Sequence, residues 1–387
     1  MNDNIREVEI KVIGVGGGGG NMVNHMIKEG VSGIDMIVAN TDAQALNASL
    51  AKKKLQLGAK KTRGLGAGMK PDIGAKAAEE SYDELKELLA GANMVFIATG
   101  LGGGTGTGAA PIVARAAREV GALTISIVTR PFFFEGRKRD KLALAGIEEL
   151  KKESDSMVVI QNDKLLTIVE KNLGTGDSFK MVDNVLGRAV SGMSSVVLSC
   201  NESDINTDFA DVRTIMEHKG SAILSVGESV GEEAAVEAIT NAIESPLLDN
   251  LSINGAMGIL IHFQINPNFP LLQIQAAMNI IHDNAHEDAD IIFGTTSNEK
   301  LADDEVKITI VATGFGNESQ DSTTKSETIS ANTTTSTPEF EVKPDPIVNN
   351  TDLMLNNLKH RLTGSGEYII ENDHDLDIPT FLRRRMD

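Results

Sequence analysis

The sequence predicts an α/β fold: a mostly parallel sheet covered by helices, a long connector helix, a smaller α/β (α+β) domain and a disordered tail. Three observations carry that prediction. Short apolar runs alternate with helix-length segments over the first half of the chain. Two glycine loops, at 16–20 and 102–108, each stand between an apolar run and a helical segment. After Gly316 the composition breaks: eleven of the sixteen residues 322–337 are Ser or Thr, leaving too little apolar surface to offset the entropy of ordering.

The elements follow in order. Residues 8–15 read as a buried strand, and 21–30 as the helix behind the first glycine loop. Residues 36–39 form a second strand that ends in the polar turn Asn40-Thr41-Asp42. A long glycine-rich loop covers 60–74, and a single helix covers 75–89. The apolar run Met94-Val95-Phe96-Ile97-Ala98 enters the second glycine loop, and a small-residue helix over 109–120 leaves it. A strand at 123–129, a helix at 137–151 and a strand at 157–160 complete a first domain, 1–177.

Phe179, Val182, Leu186, Val190 and Met193 recur at helical spacing, so 178–200 reads as a connector helix with one buried face. In the second domain, 201–316, a helix at 212–218, a strand at 221–226 and a helix at 231–245 precede apolar runs at 258–264, 291–293 and 306–312. A linker (317–372) and a terminal segment (373–387) follow. The latter sets apolar anchors, Asp377-Ile378-Pro379-Thr380-Phe381-Leu382, between acids and arginines. At the end of a tether that pattern reads as a docking peptide.

Bulk composition narrows the function. A chain of 387 residues suits two folded domains with additions. The formal charge of −19 excludes nucleic-acid binding through a broad basic surface. A phosphate ligand must then be met locally, by backbone amides, helix dipoles, a few arginines and a divalent metal. The single cysteine, Cys200, excludes an intramolecular disulfide framework and fits a reducing cytoplasm. Residues 1–7 lack the apolar stretch of a signal peptide, and no run nears the ~18 apolar residues of a membrane span. The expectation is a cytoplasmic protein with no direct membrane insertion.

Glycine lets backbone N–H groups approach a phosphate unobstructed, and a helix N-terminus adds about half a positive charge. One such loop suggests a nucleotide; two suggest a phosphate chain held from both sides. Gly14-Val15-Gly16-Gly17-Gly18-Gly19 also satisfies the G-x-G-x-x-G fingerprint, with Asp42 beyond the next strand. That keeps a nicotinamide-dependent dehydrogenase as a rival, although such an enzyme needs only one pyrophosphate loop. No G-x-x-x-x-G-K-[ST] occurs, so a P-loop enzyme is excluded.

Pro131 to Arg139 lie at a strand end, where ligands bind in such sheets. Glu135 suits ribose hydroxyls and Arg139 suits phosphate oxygens. Asn162 follows the strand at 157–160, and Asp183 lies one helical turn beyond Phe179. A carboxylate there can accept from guanine N1–H and the 2-amino group together, selecting GTP over ATP; an exposed helix Asp is the commoner case. Asn206, Asp208 and Asp211 precede a helix. They read either as a cap with helix-dipole acids or as groups that polarise water or hold a cation for phosphoryl transfer.

Residues 17–21, 102–108, 132–139, 206–211 and 377–382 together resemble the FtsZ family, the bacterial tubulin homologues that hydrolyse GTP and polymerise into the division ring. The resemblance implies a tubulin-like, Rossmann-type GTPase domain that uses GTP/GDP and Mg²⁺. It implies that Gly17, Gly18, Gly19, Gly20, Asn21, Gly104, Thr105 and Gly106 hold phosphates. It likewise places Glu135 and Arg139 on ribose and phosphate, and Asn162, Phe179 and Asp183 on the base. Asn206, Asp208 and Asp211 of the next subunit would position the attacking water and Mg²⁺, with the direct metal ligands unassigned.

The same resemblance implies a head-to-tail homopolymer at mid-cell beneath the inner membrane, with membrane-tethering division proteins on 373–387. Two departures stand out. Met69-Lys70 replaces the family's usual Ala-Asn, and Glu202-Ser203-Asp204-Ile205 is more acidic than the usual Gly-Leu-Ile run. A third reading is a structural homologue that binds nucleotide without turnover, and the intact Asn206, Asp208 and Asp211 argue against it.

Overall fold

The computed structural model describes residues 8–168, 180, 182–185, 187, 190–194, 205, 208–217, 220–245 and 255–315. Phe179, Asn206, the expected linker and the terminal peptide lie outside the described residues.

Strands and helices alternate as their sequence pattern demands. β1 (Ile10–Val15) runs into α1 (Gly16–Lys28), and β2 (Asp35–Asn40) into α2 (Ala43–Ala48). β3 (Lys53–Gln56) leads to α3 (Ala59–Thr62), α4 (Pro71–Glu80) and α5 (Tyr82–Leu89). β4 (Met94–Gly100) feeds α6 (Thr105–Glu119), β5 (Leu123–Arg130) feeds α7 (Arg137–Glu153), and β6 (Ser156–Gln161) feeds α8 (Asn162–Ile168). The second half adds α9 (Phe209–Met216), β7 (Gly220–Val230), α10 (Ala234–Ile243), β8 (Gly258–Ile265), α11 (Leu271–Asn284), β9 (Asp290–Ser297) and β10 (Glu305–Thr313).

These strands form one ten-stranded sheet in the order β3-β2-β1-β4-β5-β6-β7-β10-β8-β9. Every pairing from β3 to β7 is parallel, while β10 is antiparallel to both β7 and β8. The second part is therefore a mixed, α+β arrangement. β1 is buried at every position, because a parallel strand is covered on both faces and must be apolar throughout.

Alternation along β4 divides the core. Met94, Phe96 and Ala98 join the cluster around Met22 and Val23 of α1. Val95 and Ile97 join the cluster around Ala109, Ala110 and Val113 of α6. Val182, Val190 and Met193, three of the expected apolar positions of the connector, are buried in the first of these clusters. A separate cluster from α10, α11, β8 and β10 fills the second half.

Several boundaries differ from expectation. α1 begins at Gly16 rather than at Asn21, so the first glycine run is itself the first turns of the helix. The single helix expected over 75–89 is two, α4 and α5, broken at Ser81. The Ser81 hydroxyl accepts from Gly58 N at 3.1 Å and reaches Gln56 O at 3.4 Å, tying that break to the end of β3. The short or weakly patterned elements β3, α2, α3, α8 and α11 were not legible. No helix among the described residues is long and apolar enough to cross a membrane.

Candidate nucleotide-binding site

β1 and β4 are adjacent and in register, with Val15 opposite Thr99. Both glycine loops therefore leave the sheet side by side at the carboxyl ends of parallel strands. Gly16 takes φ +74°, and a β-carbon there would lie 3.0 Å from Gly106 N. Such an approach of two backbones leaves room only for glycine. The helices behind the loops, α1 and α6, have neither a side-chain cap nor an acid in their first turn. Their leading N–H groups and positive dipole ends thus remain available to an anion.

A cleft of about 440 Å³ opens over these loops. Gly17, Gly18 and Asn21 line it from α1, and Gly103, Gly104, Thr105 and Gly106 from the second loop. β-carbons on Gly17 and Gly103 would meet nothing within 4 Å, so both face open space. Gly104 and Gly106 serve packing as well: a β-carbon would collide with Gly68 O at the first and with Thr99 Oγ1 and Gly100 O at the second. The loop is braced by hydroxyls. Thr107 Oγ1 accepts from Gly102 N at 2.8 Å, and the Thr105 and Thr41 hydroxyls are 2.6 Å apart.

Glu135 and Arg139 reach the cleft from the loop and helix after β5. They form an ion pair one helical turn apart, and Glu135 Oε1 accepts from Phe132 N at 3.0 Å. Asp163 accepts from Phe133 N at 3.0 Å and fixes the same loop from α8. Asn162 and Asp183 line the cleft as well. Asn162 is buried, and its amide oxygen has no hydrogen-bond partner among the described residues. A buried acceptor left open is costly unless a ligand completes it. Burial pushes the Asp183 carboxyl up to about 6.

The remaining expected residues lie elsewhere. Gly19 and Gly20 are buried against the sheet rather than in the cleft: a β-carbon on Gly19 would collide with Ala98 O. Asp208 and Asp211 are exposed on α9 and do not line the cleft. Asp208 caps α9, accepting from Ala210 N at 3.1 Å. Asp42, the acid of the dehydrogenase reading, caps α2 through Gln44 N at 2.8 Å and Ala45 N at 3.3 Å. Gly68, Gly100 and Thr129 line the cleft without having been singled out. Gly100 and Thr129 close strands β4 and β5, and the rule that ligands sit at carboxyl strand ends identifies both.

The Tubulin/FtsZ family GTPase domain matches residues 9–170, and the FtsZ family C-terminal domain matches residues 220–316. An FtsZ dimer from M. jannaschii shares 42% identity, covering 82% of this chain and 90% of that one, with a TM-score of 0.76. The chain belongs to the FtsZ family. A point mutant of M. jannaschii FtsZ matches similarly, at 42% identity, 80% and 92% coverage and a TM-score of 0.75. CetZ2 from Haloferax volcanii, at 19% identity over 80% of this chain and 94% of that one, shares the fold with a TM-score of 0.68.

Membership of the FtsZ family makes the chain a GTPase of the tubulin-like, filament-forming cytoskeletal class, which binds GTP and GDP and is tied to cell division. The dehydrogenase reading falls away, and Gly17 and Gly18 of the G-x-G-x-x-G run line the cleft described above.

Proposed function

We propose that GTP lies in this cleft and is hydrolysed only when a second copy adds head to tail and brings Asp208 and Asp211 to it. The observation that carries this reading is the separation itself. The cleft offers backbone amides, the side-chain amides of Asn21 and Asn162, Arg139, and two acids, Glu135 and Asp183, that are assigned to ribose and base, while Asp208 and Asp211 stand exposed at the start of α9 and do not line it. Gly17, Gly18, Asn21 and Gly104 to Gly106 hold the phosphates, and Gly19 and Gly20 keep α1 close to the sheet. Glu135 takes ribose and releases Arg139 to a phosphate. Asn162, Asp183 and Phe179 read the base. Asn206, Asp208 and Asp211 of the neighbour orient and deprotonate water for in-line attack on the terminal phosphate.

Mg²⁺ accompanies the nucleotide. No group of three or more His, Cys, Asp or Glu gathers among the described residues. The residues present fit a cation carried in on the triphosphate, where it offsets charge at the joint.

In this reading residues 1–177 bind nucleotide, 178–200 connect, 201–316 complete the neighbour's site, and 317–372 tether the peptide 373–387 to a membrane-anchored division partner at mid-cell. The M. jannaschii relative described as a dimer supports self-association. Sedimentation with and without GTP tests the joint site: Asp211→Ala should bind GTP, still pellet, and hydrolyse very slowly. Hydrolysis by the dispersed variant as fast as by assembled wild type would refute it. Deleting 373–387 should leave hydrolysis intact and abolish partner binding.

A further inference from the structure

The cleft is short of positive charge. Its lining side chains include one cation, Arg139, against two acids, Glu135 and Asp183. Arg139 is already paired with Glu135. Backbone amides and helix ends contribute only partial charges, whereas a triphosphate carries several full ones. A further cation beside the phosphates would meet that deficit directly.

Strand order decides which end of the cleft takes the terminal phosphate. The sheet crosses the site as β1-β4-β5-β6. Asn162 follows β6, Glu135 and Arg139 follow β5, Gly103 to Gly106 follow β4, and Gly17 and Gly18 follow β1. β1 and β6 are three strand spacings apart, about 14 Å. With the base at Asn162 and Asp183 and the ribose at Glu135, the phosphate chain runs away from β6. Gly68, in the connection between α3 and α4, lines the cleft at that far end, packed on the second glycine loop.

Lys70 lies two residues beyond Gly68, and its backbone is held on both sides. β-carbons on Gly104 and Gly108 would collide with the carbonyl oxygens of Gly68 and Pro71 respectively. Two residues span at most about 7 Å, a distance that the flexible four-carbon stem of a lysine covers. Lys70 is exposed and makes no ion pair or side-chain hydrogen bond among the described residues. It occupies the N-cap position of α4 and caps no amide, since an ammonium has no acceptor to offer. Asn, the residue usual in the family at this position, is among the best N-caps. The chain has given up a cap here and gained a charge.

We propose that the Lys70 ammonium binds the terminal phosphate of GTP and makes this cleft prefer GTP to GDP. This rests on the reading above that places GTP here with its base at Asn162 and Asp183. The lysine acts as a point charge on oxygens that GDP lacks. Hydrolysis and phosphate release remove its partner, so the contact reports which nucleotide is bound.

The test is titration of the nucleotide-stripped full chain with GTP and with GDP, below its assembly concentration. Lys70→Asn should lower GTP affinity about tenfold and leave GDP affinity within about twofold. Lys70→Arg should keep most of the GTP affinity, because the charge is retained. Lys70→Asn should also melt at or above the wild-type temperature, since Asn caps α4. Lost GTP affinity then cannot be put down to unfolding.

Equal loss of GTP and GDP affinity in Lys70→Asn overturns the proposal, as does a loss that Lys70→Arg shares in full. Unchanged GTP affinity overturns it too, and a raised assembly concentration alongside would assign the lysine to an acid of the next copy. Gly103→Ala separates this inference from the reading it rests on. If that variant binds GTP as wild type does, GTP does not lie in this cleft and both fall. If it binds GTP weakly while Lys70→Asn is unaffected, the role of the lysine alone is refuted.

Discussion

A β-carbon on Gly74 would collide with the carbonyl oxygen of Gly104, so α4 and the head of α6 meet backbone to backbone. Gly108 makes the same approach to Pro71 O. The phosphate loop is thus held by a neighbouring helix as well as by its own glycines. Gly74→Ala should cost about 1–3 kcal/mol from overpacking and displace the loop. Gly103→Ala meets no atom of the protein. It should leave thermal stability within about 0.5 kcal/mol yet weaken GTP binding about tenfold, because its methyl enters the ligand's space. Melting curves and nucleotide titrations on both variants separate the two effects; equal loss of stability would contradict this division of roles.

Asn162 carries a buried acceptor that the folded protein leaves open. Asn162→Leu removes that group with little change of volume. Stability of the nucleotide-free protein should hold or rise by about 1 kcal/mol, since an unsatisfied group is lost. GTP affinity should drop. Loss of both would mean that Asn162 supports the fold instead of the ligand.

Asp183 gives a pH signature. Its carboxyl stands at about 6 against an ordinary 3.8, raised by burial. The folded state therefore binds this proton more tightly than the unfolded state. The group favours folding below the ordinary value, and that contribution is lost as pH rises through about 6. Nucleotide-free Asp183→Asn should be more stable than wild type at pH ~7.5, with the gap shrinking as pH falls below about 6 and closing only below the ordinary value of 3.8. Binding runs the other way, because a guanine edge donates to the charged carboxylate. Preference for GTP over ATP should fall in wild type as pH drops below about 6 and be flat in the variant.

The legible and illegible parts of this fold have physical causes. The two glycine loops were readable because each interrupts an apolar strand, a local signal. Which glycine faces the ligand was not, because that depends on how α1 lies against its neighbours: Gly17 faces open space while Gly19 packs on Ala98. β3 was missed because Lys53-Lys54 make an edge strand that reads as loop. Lys11 sat unnoticed inside a buried strand. Its ammonium reaches Leu88 O at 3.0 Å and Ala90 O at 2.8 Å, binding β1 to the end of α5, a partnership about 80 residues away in sequence. The net charge of −19 concealed the eight Lys and Arg between residues 51 and 76 because it averages over the whole chain.

The central claim is that a working site needs two copies. Mixing two inactive variants tests it most directly: Asp211→Ala, which keeps its cleft, and Gly103→Trp, whose side chain starts in the open space of the cleft and fills it while leaving its acids in place. Each alone should hydrolyse GTP very slowly. A mixture should regain a substantial part of wild-type turnover, since intact clefts then meet intact acids across the joint. No recovery in mixtures that co-sediment would contradict the account and place hydrolysis within a single copy.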